Sequence, residues 1–440
     1  MHFFTNSIIS LTFLFFERCD AFSTLNLSWA KLIPTDSTRT ATSTAPRPLT
    51  SLRAAPRRLE DNADGVLFVN EKCINCAACS HFAPDVFERA PSDGHHVVHA
   101  QPDPNDSAQL GRARAALSAC PVAAIRVENS AKLNHASKAA GGSGDKLSQE
   151  DEELAKLLAI NPKVNGLELP FPRPLLDEYD TGVSFIGSHN DKSFGASPYL
   201  VKGKAHDGRT VSVMIDTPKF SPASVRTVQS LLDDDEVSPG PDYLFLTHVD
   251  DTAHHLKWRE EFPSLKRIFH SGDLGRHNWL GDLTLENVEV LLADDSVQQA
   301  WNLDGDPLDL SLESLQSSWP DDAAGDFIIL HTPGHSPGSI SLLYRTHDSG
   351  ISTLFTGDTY AFSTRDGGHM SGFPRYGNNL RQQSETLNNV IGKASNLWNV
   401  IAPGHGHTRE YLSIPKDKRK KTKMDDISDA VEELKRYARY

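Results

Sequence analysis

The chain has 440 residues and a formal net charge of -14 at pH 7. Its hydrophobic fraction of 38% and charged fraction of 23% are those of a globular protein and exclude a mainly disordered chain. The acidic balance argues against nucleic acid as the main partner, because phosphate binding needs a basic surface. Of the five cysteines, four lie between residues 73 and 120. This clustering favours metal ligation over a disulfide framework.

Residues 1–59 have the composition of a targeting presequence. The apolar run from Phe3 to Phe16 has the length of a signal-peptide core, and it is shorter than the about 20 residues of a membrane-spanning helix. The stretch that follows is rich in Ser, Thr, Ala, Pro and Arg, as transit peptides are. With Ala21-Phe22 at the junction, the segment resembles the bipartite plastid presequences of algae with secondary plastids. We predict a plastid protein, with the secretory pathway as the alternative, and no integral membrane segment in the mature chain.

Residues 60–130 carry a cysteine pattern that suits an iron–sulfur cluster. The candidate ligands are Cys73, Cys76, Cys79 and Cys120. The first three are spaced by two residues on one tight loop, and the fourth precedes a proline on a distant element. A four-cysteine zinc site, the alternative, usually uses paired C-x-x-C units. The pattern resembles a bacterial-type ferredoxin. Ala116 stands where a two-cluster ferredoxin has a further cysteine, so we expect one 4Fe–4S cluster.

The rest of the chain is predicted to form a linker, a large domain and a tail. Residues 131–164 read as a linker, with a Gly-rich joint and a short helix that Ser148 would cap. Strands dominate residues 165–415, and metal-type side chains recur at strand ends, where a rigid sheet can hold ligands on adjacent loops. A helix is predicted in QQSETLNNVIGKASNLW. Residues 416–440 are predicted to be a basic linker followed by an amphipathic C-terminal helix.

Three motifs, HTPGHSPGS, FTGDT and APGHGH, resemble the metallo-β-lactamase superfamily in this order. The resemblance implies an α+β protein, an αββα metallo-β-lactamase sandwich with a small ferredoxin-like 4Fe–4S domain on its N-terminal side. It implies that His335 and His405 bind metal and that Asp358 bridges two ions in dinuclear members. Asp216 matches an aspartate that usually supports the site without binding metal. By the same comparison, His331 and His407 are expected to be structural.

The opening loop, THVDDTAHH, departs from the superfamily pattern H-x-H-x-D-H. His248 takes the first position, Asp250 stands where the second histidine is expected, and the pair His254-His255 arrives two residues late. The loop can be aligned with the superfamily pattern either at His248 or at His255, and both alignments stay open. An enlarged loop could use ligands from both alignments. The candidate metal ligands are therefore His248, Asp250, Asp251, His254, His255, His335, Asp358 and His405. The predicted catalytic residues are Asp358, His248 and Asp251.

The donor types leave the metal open, because imidazole and carboxylate suit both zinc and iron. His248, His335 and Asp358 alone would form a 2-His-1-carboxylate set for mononuclear Fe(II). That arrangement resembles the iron-dependent persulfide dioxygenases of the superfamily. If Asp251 or one of the two late histidines joins Asp358 and His405, a second ion fits. We expect one or two Zn or Fe ions.

Two enzyme classes and one non-enzyme class follow. Most members with this fold are hydrolases, so the first expectation is a metal-dependent hydrolase that carries a 4Fe–4S cluster. Metal-activated water would attack an ester, thioester or phosphoester. The alternative is an iron-dependent oxidoreductase fed by the cluster, because a hydrolase has no obvious need for one. The third is a non-catalytic electron-transfer protein. The expected partners are an unidentified small-molecule substrate and a plastid electron donor or acceptor.

Overall fold

The computed structural model describes residues 55–91, 94–128, 147–232, 240–293, 300–308, 319–320, 324–346 and 349–438. The predicted presequence up to residue 54 and the Gly-rich joint of the predicted linker lie outside these residues. Residues 55–440 form one compact unit. In the part of the chain that the structure describes, no helix has the length and apolar character that crossing a membrane requires.

The ferredoxin-like part consists of two small antiparallel sheets and two helices. Its elements are β1 (Leu67–Val69), α1 (Ala78–Phe82), β2 (Phe87–Arg89), β3 (His96–Val98), α2 (Ser107–Ala119) and β4 (Ile125–Val127). Strand β1 pairs with β4, and β2 pairs with β3. Helix α2 begins after Asp106, whose side chain accepts hydrogen bonds from the backbone N–H groups of Ala108 and Gln109. Four alanines of α2 are buried, namely Ala113, Ala115, Ala116 and Ala119, so the helix can pack closely against the segment that carries Cys73, Cys76 and Cys79.

Two short helices connect this part to the large domain. They are α3 (Gln149–Leu157) and α4 (Pro162–Asn165). The side chain of Ser148 accepts a hydrogen bond from Asp151 N at 3.0 Å. This cap confirms the predicted short helix and its start.

The large domain contains two mixed β-sheets. The first has the order β11-β10-β9-β8-β7-β6-β5, and β8 to β11 run parallel. Its strands are β5 (Arg173–Pro174), β6 (Val183–Phe185), β7 (Tyr199–Lys204), β8 (Thr210–Ile215), β9 (Tyr243–Phe245), β10 (Lys266–His270) and β11 (Val290–Leu292). The second has the order β12-β13-β14-β15-β18-β19. Its strands are β12 (Ala300–Trp301), β13 (Phe327–His331), β14 (Ile340–Arg345), β15 (Ser352–Gly357), β18 (Val400–Pro403) and β19 (Arg409–Glu410).

Residue alternation along the strands explains the layering. In the first sheet, Val201 pairs with Val213 and both face the core between the sheets. Their neighbours Leu200 and Met214 face the opposite way, toward a second apolar cluster. Since successive strand side chains point to opposite faces, each sheet is buried on both sides.

Helices cover the outer face of each sheet. The first sheet is covered by α5 (Pro222–Leu232) and α6 (His255–Glu261), whose Val228 and Trp258 are fully buried. The second is covered by α7 (Leu380–Thr386) and α8 (Lys416–Tyr437). The layers are therefore helix, sheet, sheet, helix, and the predicted αββα sandwich is confirmed.

Two predicted elements differ from the structure. The predicted helix after residue 380 is α7 followed by a π-helical turn at Leu387–Ile391 and a 3₁₀ turn at Lys393–Asn396. The basic run at residues 416–423 is the first half of α8, not a linker. Its Lys423 is buried, donates hydrogen bonds to the carbonyls of Ser395 and Trp398, and lies 4.5 Å from the Trp398 ring centre. These contacts hold the basic run in the helix.

The ferredoxin-like part and the sandwich share one apolar core. Phe82, in α1, packs edge-on against Phe171 at 5.2 Å and Phe185 at 5.0 Å between ring centres. The neighbouring His81 ring lies 5.5 Å from that of His407, in the loop after β18. The cysteine helix is therefore packed directly against the end of the sandwich that carries the predicted metal ligands.

Candidate metal and iron–sulfur site

The four predicted cluster ligands line one small cavity. They are Cys73, Cys76, Cys79 and Cys120. The cysteine loop curls around this cavity because Asn75 and Ala77 adopt left-handed conformations, with φ of 64° and 66°. Ala124 N donates a hydrogen bond to Cys120 Sγ at 3.1 Å. Burial raises the pKa of the Cys76 thiol to about 12, so a bound metal would be needed to keep its thiolate. The convergence of four thiols, one buried and three half-buried, on one cavity fits a 4Fe–4S cluster.

A second group of donors lies at the strand ends of the sandwich. Asp250 Oδ2 lies 3.7 Å from His248 Nε2 and 3.8 Å from His335 Nε2. Asp358 Oδ2 lies 3.9 Å from His248 Nε2 and 3.7 Å from His335 Nε2. These separations are too long for hydrogen bonds, and the atoms converge on a common space. We call these four residues the His/Asp group.

The donor types and their surroundings fit a metal ion in the His/Asp group. His248 is fully buried, and its Nε2 has no hydrogen-bond partner among the described residues. Burial lowers the pKa of His248 to about 4, so its ring is neutral and can bind a metal. Two imidazoles and two carboxylates suit Zn or Fe. Asp250 thus occupies the place that the superfamily pattern gives to a histidine.

Asp216 orients His248 through a hydrogen-bonded threonine. Thr247 donates its backbone N–H to Asp216 Oδ1 at 2.9 Å, and its hydroxyl lies 3.0 Å from the same oxygen. The hydroxyl is also 3.0 Å from His248 Nδ1. When the threonine hydroxyl donates to the carboxylate, it can accept only from an Nδ1–H, which leaves His248 Nε2 as the metal donor. Asp216 therefore acts on His248 through Thr247 and lies outside the His/Asp group itself.

Asp273 ties together the two loops that carry His248 and His335. It accepts hydrogen bonds from Val249 N at 2.9 Å, from Ser336 Oγ at 2.7 Å and from Gly338 N at 2.6 Å. Asp273 is fully buried. Sequence analysis missed it, because its two partner loops are far apart in the chain and no motif surrounds it.

Asp251 and His405 lie beside the group. Both carboxylate oxygens of Asp251 are buried without a hydrogen-bond partner among the described residues, and Asp251 Oδ2 lies 3.8 Å from His248 Nδ1. A buried, unpaired carboxylate is costly unless it is protonated or bound to a cation. His405 Nδ1 lies 2.9 and 3.0 Å from the two oxygens of Asp358. Asp251 and Asp358 thus mark where a second ion would bind.

The structure places His254 and His255 outside the group, which corrects their prediction as metal ligands. His254 has a φ of 72° and ends the loop, and its Nδ1 accepts a hydrogen bond from Phe220 N at 3.1 Å. His255 begins α6 with its ring between Asp282 and Arg267, each 3.1 Å from a ring nitrogen. The left-handed turn at His254 directs both rings away from the ligands.

The two histidines expected to be structural also have separate partners. The His331 ring stacks on that of His270 at 4.2 Å between centres. His407 Nε2 lies 3.2 Å from the hydroxyl of Ser80, the residue after Cys79. His407 therefore joins the loop of His405 to the cysteine helix.

One cavity of about 810 Å³ connects the two centres. Its lining includes Asp250, His335 and Asp358 of the His/Asp group and residues 74–77 of the cysteine loop. Trp279, 47% exposed, lies in its wall and donates a hydrogen bond to Asp250 Oδ1 at 2.6 Å. The sequence did not indicate this tryptophan, because no recognised motif includes it.

Comparison with known proteins agrees with the first of these centres. Residues 69–127 match the family model of the 4Fe-4S single cluster domain of Ferredoxin I. No curated protein matches the chain.

Solved structures with some likeness to the chain include two proteins described as metallo-beta-lactamases or members of that superfamily, and a lactonase. An archaeal metallo-beta-lactamase superfamily protein from Sulfolobus tokodaii is 16% identical over 55% of this chain and 93% of its own, with a TM-score of 0.28. A subclass B3 metallo-beta-lactamase of Bradyrhizobium japonicum is 16% identical over 61% of this chain and 94% of its own, with a TM-score of 0.32. A quorum-quenching N-acyl homoserine lactone lactonase is 17% identical over 48% and 79%, with a TM-score of 0.32.

The large domain has the αββα layers predicted from the sequence, with histidines and aspartates converging at its strand ends. The chain therefore joins such a sandwich to a region, residues 69–127, that matches a single-cluster 4Fe–4S ferredoxin domain.

Replacing His335 tests the His/Asp group. We expect His335→Ala to remove the metal of the large domain while the cluster iron and acid-labile sulfide stay unchanged, because the two donor sets share no residue. His254→Ala is the matched control and should keep both. Metal and sulfide analysis of anaerobically purified protein measures the outcome. Loss of metal in the His254 variant would show that the loop binds metal differently.

Replacing Asp273 tests whether this residue positions the ligand loops. Asp273→Asn cannot accept all three hydrogen bonds, since its amide nitrogen is a donor. We expect metal affinity to fall about 10- to 100-fold, as for other residues that orient metal ligands. Chelator competition measures the affinity, and Asp282→Asn, which contacts His255 outside the group, is the control. Equal affinities in the two variants would contradict the role given to Asp273.

Proposed function

We propose that the protein is a metal-dependent oxidoreductase. In this proposal a small-molecule substrate binds in the shared cavity beside a metal ion held by the His/Asp group. A 4Fe–4S cluster on the four cysteines exchanges electrons with that site. The observation that carries the proposal is the single cavity, which the cysteine loop and the metal ligands line together.

A short path of contacts supports electron exchange between the two centres. A Cβ placed on Gly195 would lie 3.0 Å from Cys76 Sγ, so the cysteine side chain touches the backbone there. Gly195 follows Phe194, which lines the shared cavity together with His405. His405 donates to Asp358 of the His/Asp group. These residues thus lead from Cys76 past Phe194 and His405 to the carboxylate.

A second contact runs along the other side of the cysteine helix. Ser80 follows Cys79 directly, and its hydroxyl lies 3.2 Å from His407 Nε2. His407 is two residues from His405 in the same loop. A purely structural cluster needs neither contact, since it could be placed anywhere on the sandwich.

The two centres would contribute different chemistry when bound, single electrons from the cluster and substrate binding at the metal ion. The chain's own residues set the conditions for both. Asp250 and Asp358 bring two carboxylates beside the two imidazoles, a donor set that suits iron or zinc. Trp279 fixes one oxygen of Asp250 by its hydrogen bond, and so leaves the other for the ion.

Hydrolysis is the second candidate, and the buried Asp251 favours it. Its unpartnered carboxylate beside Asp358 could hold a second ion, and paired ions suit the attack of a metal-activated water on an ester, thioester or phosphoester. Two zinc ions per chain in addition to the cluster would support this candidate. Hydrolysis does not explain why the cysteine loop lines the same cavity as the metal ligands.

The partners and location belong to the same proposal. An external redox protein must supply or accept the electrons, and a plastid donor or acceptor fits the location predicted from residues 1–59. The exposed Ile74, in the cysteine loop, is 43% accessible and offers such a partner an approach to the cluster.

The rate of cluster oxidation tests the proposal. The cluster is reduced without oxygen, and dioxygen is then added to protein that carries iron or zinc in the His/Asp group. We expect the visible absorbance of the oxidised cluster to return at least about tenfold faster with iron, which corresponds to 1.4 kcal/mol in the barrier. In His335→Ala protein the two preparations should react alike. Equal rates with iron and zinc in the unaltered protein would argue against electron exchange.

A further inference from the structure

Three arginines line the shared cavity. Arg89 ends β2 in the ferredoxin-like part. In the sandwich, Arg365 lies in the turn between β16 (Ala361–Ser363) and β17 (His369–Ser371), and Arg375 follows β17. The wall is therefore built by both parts of the chain. In a protein of net charge -14, three cations in one cavity are a local feature that needs an explanation.

Among the described residues these arginines form no salt bridge with an acid, although Tyr437 and the Asp366 carboxylate raise the pKa of Arg375. Arg89 Nε is buried and has no hydrogen-bond partner among the described residues. Burial and the positive charges of Arg365 and Arg375 lower the pKa of Arg89, and all three side chains line the same cavity. Glu433 lines the same wall, but it accepts a hydrogen bond from Ser371 Oγ at 2.6 Å, and Asp366 is exposed.

The cluster alone does not explain the three arginines. Arg89 lies near Cys73 and would partly balance a negatively charged cluster. Arg365 and Arg375 belong to the sandwich and not to the part of the chain that carries the cysteines. The cluster therefore does not by itself explain why these two cations line the cavity.

We propose that the substrate is a small organic molecule with a phosphate group, and that Arg89, Arg365 and Arg375 bind this group. Guanidinium forks match the oxygens of a phosphate, and a phosphate monoester carries about -1.5 to -2 charge, more than one carboxylate. Tyr376, 66% exposed in the same wall, offers an apolar face to the rest of the molecule. The inference depends on the proposed function only in placing the reacting part of the substrate near Asp250 and His335.

Calorimetric titration of the cluster-loaded protein with inorganic phosphate tests whether the three arginines bind this anion. We expect one saturable site. Arg365→Gln, Arg375→Gln and Arg89→Gln should each weaken binding about tenfold or more, because each removes a charged hydrogen-bond donor. Arg226→Gln, on the exposed side of α5, should leave it unchanged. No saturable binding, or equal affinities in all four variants, would overturn the proposal. Tighter binding of acetate than of phosphate would overturn the assignment to phosphate.

Two further arms separate this proposal from others. His335→Ala protein, expected to lack the metal of the large domain, should still bind phosphate, whereas loss of binding there would mean that the metal holds the anion. Zinc-loaded protein should bind phosphate as iron-loaded protein does, so a failure of electron exchange would leave this result intact. If Arg89→Gln changes the cluster potential and leaves phosphate binding unaltered, Arg89 serves the cluster and is removed from the anion site. Cluster iron and sulfide content verifies that each variant is folded.

Discussion

The packing of helix α1 against the loop after β18 is the constraint on which the account of this protein depends. Phe82 enters the apolar core of the sandwich, while Ser80 and His81, on the same helix, contact the loop of His405 and His407. Burying an aromatic ring of this size contributes roughly 1.5–3 kcal/mol, so the helix is held firmly. Because Cys79 lies within this helix and Cys76 just before it, the same packing brings the cluster ligands to the cavity that holds the His/Asp group.

The His/Asp group is positioned by residues that would never touch a metal. Asp216 acts through Thr247 on His248, and Asp273 joins the backbone after His248 to the loop after His335. Both carboxylates are buried, where hydrogen bonds to fixed donors are strong and their loss leaves unpaired groups. The donors converge at strand ends because the sheets hold the loop stems rigidly, and these bonds set the remaining freedom of the loops.

The features that could be predicted from the sequence are those that depend on residues close together in the chain. The four cysteines, the strands around HTPGHSPGS and FTGDT, and the cap at Ser148 each follow from spacing or composition within a few residues. The sequence did not decide which of Asp250, Asp251, His254 and His255 lie near the other metal ligands. That choice depends on the left-handed turn at His254 and on the contacts of its neighbours. The sequence also gave no indication of Asp273, Trp279 or the three arginines of the shared cavity, since their partners are brought together only by the packing of distant segments.

Electron paramagnetic resonance of the reduced cluster is the measurement that tests the shared cavity most directly. The protein is prepared with its cluster and with either high-spin Co(II) or diamagnetic Zn(II) in the His/Asp group. If the two centres border one cavity, the paramagnetic ion speeds the spin relaxation of the cluster and broadens its signal, and His335→Ala removes the effect. Identical cluster signals with Co(II) and Zn(II), at full occupancy of both centres, would contradict the account.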